Sequence, residues 1–277
     1  MSTVTERIAQ IKAEHVGQTG KRVLLVEGTD DVDAYRGFLT RKFPGWERTW
    51  HLEPAGNKSR AVQMAKVEST WLGIVDRDEW TDTEIAKQCT QCPNLLILPR
   101  FCLESYLIDP DELWLAFPEK QRLKIPGGEV QFRQELMINL NEWIRHAALW
   151  HGVRPLWQQL RGLGFPDSVL ASPPMPDDES LRERFKSWHE SLNADAILSS
   201  VKQLQTELVL KDQGELFSKW LYAKNFYSEV VHPTLNRLLG QKPAKERRVA
   251  ILRTRSVPDD LAVLWNAMGF DTAVNTP

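Results

Sequence analysis

The sequence predicts an α/β protein: a parallel sheet sandwiched by helices, interrupted by a large all-helical insertion and rejoined by a strand and a helix at the C-terminus. Three observations predict it. The apolar runs Val23-Leu24-Leu25-Val26 and Gly73-Ile74-Val75 lead straight into Glu27 and into Asp76 and Asp78. A run without polar alternation reads as a strand covered on both faces, as in parallel sheets, whose ligands gather beyond the strands' carboxyl ends. Between Lys21 and Pro110 such runs alternate with helix-period stretches, which implies parallel pairing through right-handed crossovers. From Leu113 to Gly240 the period is mostly helical and rich in tryptophan. The expected organisation is an N-terminal helix and sheet core over 1–110, a helical insertion over 111–240, and a returning strand and helix over 241–277.

Taken in order, the strand candidates are Arg22 to Val26, Trp50 to Glu53, Leu72 to Val75 and Leu95 to Leu98. Asp31 to Phe43 places Val32, Tyr35, Phe38, Leu39 and Phe43 on one helical face. Ser59 to Glu68 groups Val62 with Ala65 behind a serine able to cap the first turn. The helical layer is punctuated at Ile125-Pro126-Gly127-Gly128, at His151-Gly152 and at Ser172-Pro173-Pro174-Met175-Pro176. After that last joint, Asp177-Asp178-Glu179-Ser180 opens a capped helix carrying Leu181, Phe185 and Trp188. Arg248-Val249-Ala250-Ile251-Leu252-Arg253 reads as one more strand. Pro258 to Met268 reads as a helix with Leu261, Leu264, Trp265 and Met268 on its apolar side.

The 277 residues suit one large domain or two modest ones, and two are favoured. With 35 basic against 37 acidic side chains, no global positive field announces a nucleic acid. Met1 to Gln18 is polar and mixed in charge, and no stretch reaches the roughly 18 apolar residues of a membrane span. A soluble, cytoplasmic protein with no membrane partner is expected. Three cysteines argue against a disulfide framework.

Chemistry concentrates in the acids. In Glu27-Gly28-Thr29-Asp30-Asp31, glycine permits a tight turn, and Asp31 lies one helical turn from Glu27, so both could face one cation. Asp76 and Asp78 are two apart and share a side of an extended strand end. Hard oxygen ligands of this kind suit magnesium or manganese. An Asp-x-Asp alone reads equally well as a solvated acidic loop, and the pairing with Glu27 favours the metal. Lys58, in Gly56-Asn57-Lys58-Ser59 at a helix start, could neutralise a substrate phosphate, with an ordinary capped loop as the alternative. Between Lys224 and Arg255, basic residues including Lys245, Arg247 and Arg248 outnumber Glu229 and Glu246. They form either a phosphate-binding surface or a solvated face. Trp143, Trp150, Trp157 and Trp188 at helical spacing read as core or interface. Cys89-Thr90-Gln91-Cys92 has the spacing of half a zinc site without a second pair, and His51, His146 and His151 are scattered.

These residues also carry a family resemblance. The strand-Glu27-Gly28 start, the later strand-Asp76-Arg77-Asp78 and the alternating topology resemble the Toprim domain of topoisomerases, primases and OLD-family nucleases. Leu98 to Leu107, with Glu104-Ser105-Tyr106-Leu107, is similar to the Glu-Asn-Tyr-Leu segment of OLD-like Toprim nucleases, among them the Toprim effectors of PARIS anti-phage systems. Ser105 stands where asparagine is usual. Trp220-Leu221-Tyr222-Ala223-Lys224 resembles their downstream Gly-Lys pair, with alanine in place of glycine.

The resemblance implies a Toprim-like sheet and a Mg2+- or Mn2+-dependent nuclease hydrolysing phosphodiesters of DNA or RNA in antiviral defence. By position it implies Glu27, Asp76 and Asp78 as metal ligands, Asp31 and Glu104 as further ligands, and Glu27 and Lys224 as catalytic. It also implies control by a partner ATPase of the ABC/OLD type, since this sequence has no Gly-x-x-x-x-Gly-Lys-Ser/Thr loop, and it admits a homodimer. Two alternatives stay open. One is a catalytically silent Toprim-like interaction module that docks through the tryptophan-rich layer. The other is a Mg-dependent phosphatase with an Asp-x-Asp site, although haloacid-dehalogenase phosphatases carry that motif on their first strand and Glu27 would be idle.

Overall fold

The computed structural model describes residues 3–17, 19–78, 80–165 and 177–270; the proline-rich joint at 172–176 lies outside them. Helix α1 (Val4–Ile11), extended by a π-helical turn at Lys12–Val16, precedes β1 (Arg22–Val26), α2 (Thr29–Lys42), β2 (Trp50–Pro54), α3 (Lys58–Val67), β3 (Leu72–Val75), α4 (Asp82–Gln91) and β4 (Leu95–Ile97). The strands form one parallel sheet in the order β2-β1-β3-β4, with Leu24 facing Leu52 on one side and Leu72 on the other. Growth of the sheet reverses at β1, so the loops leaving β1 and β3 diverge and open a crevice at their carboxyl ends.

The continuous apolar runs do what the pattern predicts. Val23 to Val26 are fully buried, and so are all four residues of β3. One face of the sheet packs Val23, Leu25 and Val75 against Ile8 and Ile11 of α1 and Ala61, Met64 and Ala65 of α3. Helix α2 lies on β1 and β2 and buries Val32, Ala34, Tyr35, Phe38 and Leu39. Gly73 permits close approach on β3: a Cβ there would stand 3.0 Å from Leu95 Cδ1 and 3.5 Å from Ala65 Cβ. Helix α3 is capped by Asn57, whose Oδ1 accepts the Arg60 amide at 2.9 Å; Ser59, expected as the cap, lies inside the first turn.

The expected return strand is a helix. Ala244–Thr254 forms a single helix, and among the described residues the sheet has no strand beyond β4 on that side. Short apolar runs are ambiguous between strand and helix, and here the surrounding Ala, Lys, Glu and Arg residues favour the helix. Arg247 and Ile251, four apart, are buried with Leu252, and Pro243 stands just before the first turn. The helix packs on α2, and Arg41 Nη1 donates to Leu252 O at 2.6 Å. The expected last helix appears as a 3-10 turn at Asp259–Leu261 followed by Ala262–Ala267, with Leu261, Leu264, Trp265 and Met268 buried.

The chain divides into two compact units, Met1–Met137 with Phe217–Lys219 and Ala223–Pro277, and Ile138–Leu216 with Trp220–Tyr222. The boundaries thus fall inside the expected 111–240 insertion. Residues 111–137 join the sheet unit because the helix Pro110–Ala116 packs both on Ala244–Thr254 and on Gly128–Met137. In the second unit, Leu140–Gly162 runs unbroken through His151-Gly152 and Pro155. Gly152 is therefore a packing residue, not a break: a Cβ there would meet Val201 Cγ2 of the neighbouring helix Ala194–Val209 at 2.8 Å. Trp188 is buried and its Nε1 donates to Leu163 O at 3.2 Å, while Trp150 packs on Tyr222 at 5.0 Å. No helix among the described residues is long and apolar enough to cross a membrane.

Candidate functional site

Glu27 follows directly on β1 and Asp76 directly on β3, so adjacent parallel strands deliver both carboxylates to the crevice. Glu27 Oε1 accepts the Asp76 amide at 2.8 Å, tying the two strand ends together. The main chain of Glu27 is held in turn by the Gly56 amide on its carbonyl at 2.8 Å. Asp76 Oδ1 accepts the Leu103 amide at 3.2 Å. The Asp78 amide donates to Phe101 O at 2.6 Å, and Asp78 is left-handed, with φ 44°. That conformation costs a non-glycine residue about 1–3 kcal/mol and is tolerated best by Asp and Asn. It turns the chain so that one oxygen each of Glu27, Asp76 and Asp78 lies within 4.8 Å of the others.

Two lysines enter the cluster. Lys58, at the first position of α3, places Nζ 2.9 Å from Asp78 Oδ2 and 4.5 Å from the centroid of the Trp80 ring. Lys224, on the short helix Ala223–Phe226, places Nζ 3.5 Å from Asp76 Oδ2 and 3.4 Å from Asp78 Oδ1. Asp31 and Glu104 stand outside the close group of three. Asp31 Oδ2 accepts the Gly28 amide at 2.8 Å, and Glu104 Oε1 lies 3.3 Å from Arg248 Nη1. The expected five-carboxylate cluster is therefore a close triad with two flanking acids. Asp31 still couples to Glu27 and Asp76, and Glu104 acts on Asp31 and Lys224, because the turn after β1 and the 3-10 turn Leu103–Leu107 border the same crevice.

The electrostatics are those of crowded, partly buried anions. Burial pushes the Glu27 carboxyl above its ordinary range. The Asp76 amide and Lys58 oppose that shift, and Asp78 adds to it. Asp76 is pushed well above its range by burial and then by Asp78, Glu27 and Asp31. Asp31 is raised to about 6 by burial, relieved in part by the Gly28 amide and raised further by Glu27 and Glu104. Burial alone would lower the Lys224 ammonium, but Asp76 and Asp78 outweigh it and hold the lysine charged. A divalent cation would relieve this repulsion. The all-carboxylate donor set fits a hard cation that takes oxygen ligands, with Glu27, Asp76 and Asp78 as its holders.

Sequence reasoning missed two features. Arg248 bridges Asp30 at 2.7 Å and Glu104 at 3.3 Å, and Lys245 reaches Asp30 at 2.9 Å. Reading this segment as a helix would have placed Lys245, Arg248 and Leu252 on one face, the signal for that clamp. The second is a group at the sheet edge, His15, His51 and Glu53. The two rings stack at 3.9 Å, and His51 Nε2 lies 3.1 Å from Glu53 Oε2. Arg7 pairs with Glu53 Oε1. Cys89 is exposed and Cys92 buried, and neither belongs to a cluster of potential metal ligands among the described residues. No protein-family model matches the chain, and no curated protein matches it significantly.

Proposed function

We propose that this chain is a Toprim-like nuclease that uses Mg2+ or Mn2+ to hydrolyse phosphodiester bonds of DNA or RNA. The observation that carries the reading is the convergence of Glu27, Asp76 and Asp78 at the ends of adjacent parallel strands, with Lys224 between the two aspartates. The cation, held by those three carboxylates, supplies Lewis acidity toward a phosphoryl oxygen. Lys224, kept charged by its neighbours, is placed to donate to a non-bridging oxygen and offset charge that develops in the transition state. Lys58, at the amino end of α3, can exchange Asp78 for a substrate phosphate where backbone amides also favour an anion. Glu27 keeps one oxygen on the Asp76 amide, which leaves the other for the cation. The antiviral role, the partner ATPase of the ABC/OLD type and the homodimer belong to this proposal through the sequence resemblance alone.

The direct ion pairing of Lys58 and Lys224 with Asp78 supports one competing reading, a silent interaction module whose acids are neutralised internally. Incubation of the purified protein with Mn2+ or Mg2+ and labelled single- and double-stranded DNA and RNA separates the two. The nuclease cuts at least one substrate, and Glu27→Ala and Asp76→Ala lose cutting. Equal cutting by those variants overturns the assignment. Absence of both cutting and calorimetric Mn2+ binding establishes the silent module instead.

A further inference from the structure

Away from the crevice, His15, His51 and Glu53 place one potential ligand atom each within 4.8 Å of the others at the edge strand β2. His51 and Glu53 are two apart on β2 and so share a face. His15 arrives from the π-helical turn Lys12–Val16, a local conformation that recurs at functional sites. Thr19 Oγ1 donates to the His15 carbonyl and fixes that turn beside the strand. The Glu53 side chain is 4% exposed, and those of His51 and His15 are 24% and 39% exposed, so the group opens to solvent on its imidazole side.

A plain structural reading makes Glu53 the anion between Arg7 and His51, and it accounts for those three residues. It does not account for His15, whose ring stacks on His51 at 3.9 Å with 14° between the planes while its Nε2 lies 3.6 Å from Glu14 Oε2. Were both rings protonated to pair with their carboxylates, two like charges would meet at van der Waals distance. A single divalent cation held by neutral rings removes that conflict.

We infer that His15, His51 and Glu53 form a second metal site, which takes a borderline transition metal of the Zn2+ class and staples the turn after α1 to the edge strand. Two imidazoles and a carboxylate suit Zn2+, whereas an all-oxygen crevice suits Mg2+. Ligand atoms on a tetrahedral Zn2+ stand roughly 3.3 Å apart, given bonds of about 2.0–2.2 Å. His51 Nε2 and Glu53 Oε2 already stand 3.1 Å apart, so the metal replaces the proton between them and the ring proton sits on Nδ1. The exposed His15 ring turns off the stack to aim a nitrogen at the same point, a side-chain motion that exposure allows. Arg7 on the other Glu53 oxygen and Glu14 beside His15 supply outer partners of the kind that orient metal ligands. The fourth position is left for water. The inference stands independently of the nuclease reading.

Titration of the full chain with Co2+, a spectroscopic stand-in for Zn2+, in excess Mg2+ to fill the crevice, tests it. One equivalent of Co2+ binds with visible ligand-field absorption, and one equivalent of Zn2+ displaces it. His15→Gln and His51→Gln each weaken binding by about tenfold or more, at least the loss that removal of an outer partner brings. Metal-free melts confirm that both variants are folded. Asp76→Asn and Cys89→Ser keep the parent spectrum, which separates the site from the crevice and from the exposed thiol. Zn2+ raises the melting temperature of the parent and of Asp76→Asn but not of His15→Gln. Either histidine variant binding within about twofold of the parent overturns the three-residue site. Loss of the spectrum in Asp76→Asn or Cys89→Ser, or a parent melting temperature that Zn2+ does not raise, overturns it equally.

Discussion

Glu53 on β2 and Glu27 just past β1 sit on neighbouring strands of one sheet, and both are withdrawn from water, yet their carboxyls are driven in opposite directions. Glu53 is 3% exposed, and burial alone would raise it. His51 and Arg7 outweigh burial, so its pKa falls below the ordinary value. Glu27 is raised by burial, to which Asp78 adds, and the Asp76 amide, Lys58 and Lys224 do not offset it, the lysines also facing Asp76 and Asp78. Burial therefore does not distinguish the two places; the ratio of cations to carboxylates does. The Glu53 group closes its own charge balance, as a structural ion pair must. The crevice at β1 and β3 leaves an excess of negative charge, which is what a metal-binding acidic site requires.

The most severe way to break this contrast is to remove the acids. Asp76→Ala or Glu27→Ala is expected to reduce Mn2+-dependent cleavage by at least about 100-fold, a loss typical of deleting one strong transition-state interaction. Glu53→Gln should leave the turnover number within about twofold, measured on folded protein at saturating metal. A comparable loss from Glu53→Gln would show that both groups belong to one site.

Metal affinity comes next. Protons held on Asp31, Asp76 and Glu27 by their raised pKa values compete with a cation, so binding should tighten between pH 5.5 and pH 8 by about tenfold or more, read by calorimetry. A pH-independent affinity would mean that the crevice acids are already ionised together.

The smallest effects sharpen the contrast by sign. Asp31 titrates near 6 in the folded chain against an ordinary value of 3.8, so the folded state binds the extra proton, and its ionisation costs stability as pH rises through that window. Asp31→Asn should therefore stabilise the metal-free protein at pH 8 by on the order of 1–2 kcal/mol and have no such effect near pH 4. For Glu53 the folded pKa lies below the unfolded one. Its contribution is present above about pH 4.5 and is lost as pH falls through the folded value. Glu53→Gln should cost about 1–3 kcal/mol at pH 7, and less in acid. Thermal melts of both variants at three pH values check the two signs; matching signs would remove the contrast.

Much of the crevice was legible in the primary structure. The unbroken runs before Glu27 and Asp76 are buried strands, as the pattern predicts, while their adjacency comes from the strand order β2-β1-β3-β4. Lys224 was reached only through the family resemblance, because nothing in Tyr222-Ala223-Lys224 by itself announces a residue that will stand against Asp78, 146 positions away. The C-terminal helix was misread because Val249, Ala250, Ile251 and Leu252 satisfy a strand pattern over four residues, and only the buried positions of Arg247 and Ile251 reveal the helical period. The His15, His51 and Glu53 group was invisible because His15 comes from the turn after α1 while the others lie on the edge strand.

The amino-acid sequence by itself placed the four strands of the sheet to within one residue at their ends, though it misplaced a fifth at Arg248 to Arg253, and it showed which carboxylates stand at the tips of β1 and β3. Those properties depend on nearest-neighbour pattern, and apolar burial enforces them locally. Tertiary structure alone decided which acids close to within 4.8 Å and which remain flankers, and which cation serves which carboxylate. Such distances are set by the order of strands in the sheet and by the positive φ at Asp78. Coulombic coupling falls with every ångström of separation, so the sign of each acid's pKa shift was decided by folding and not by composition.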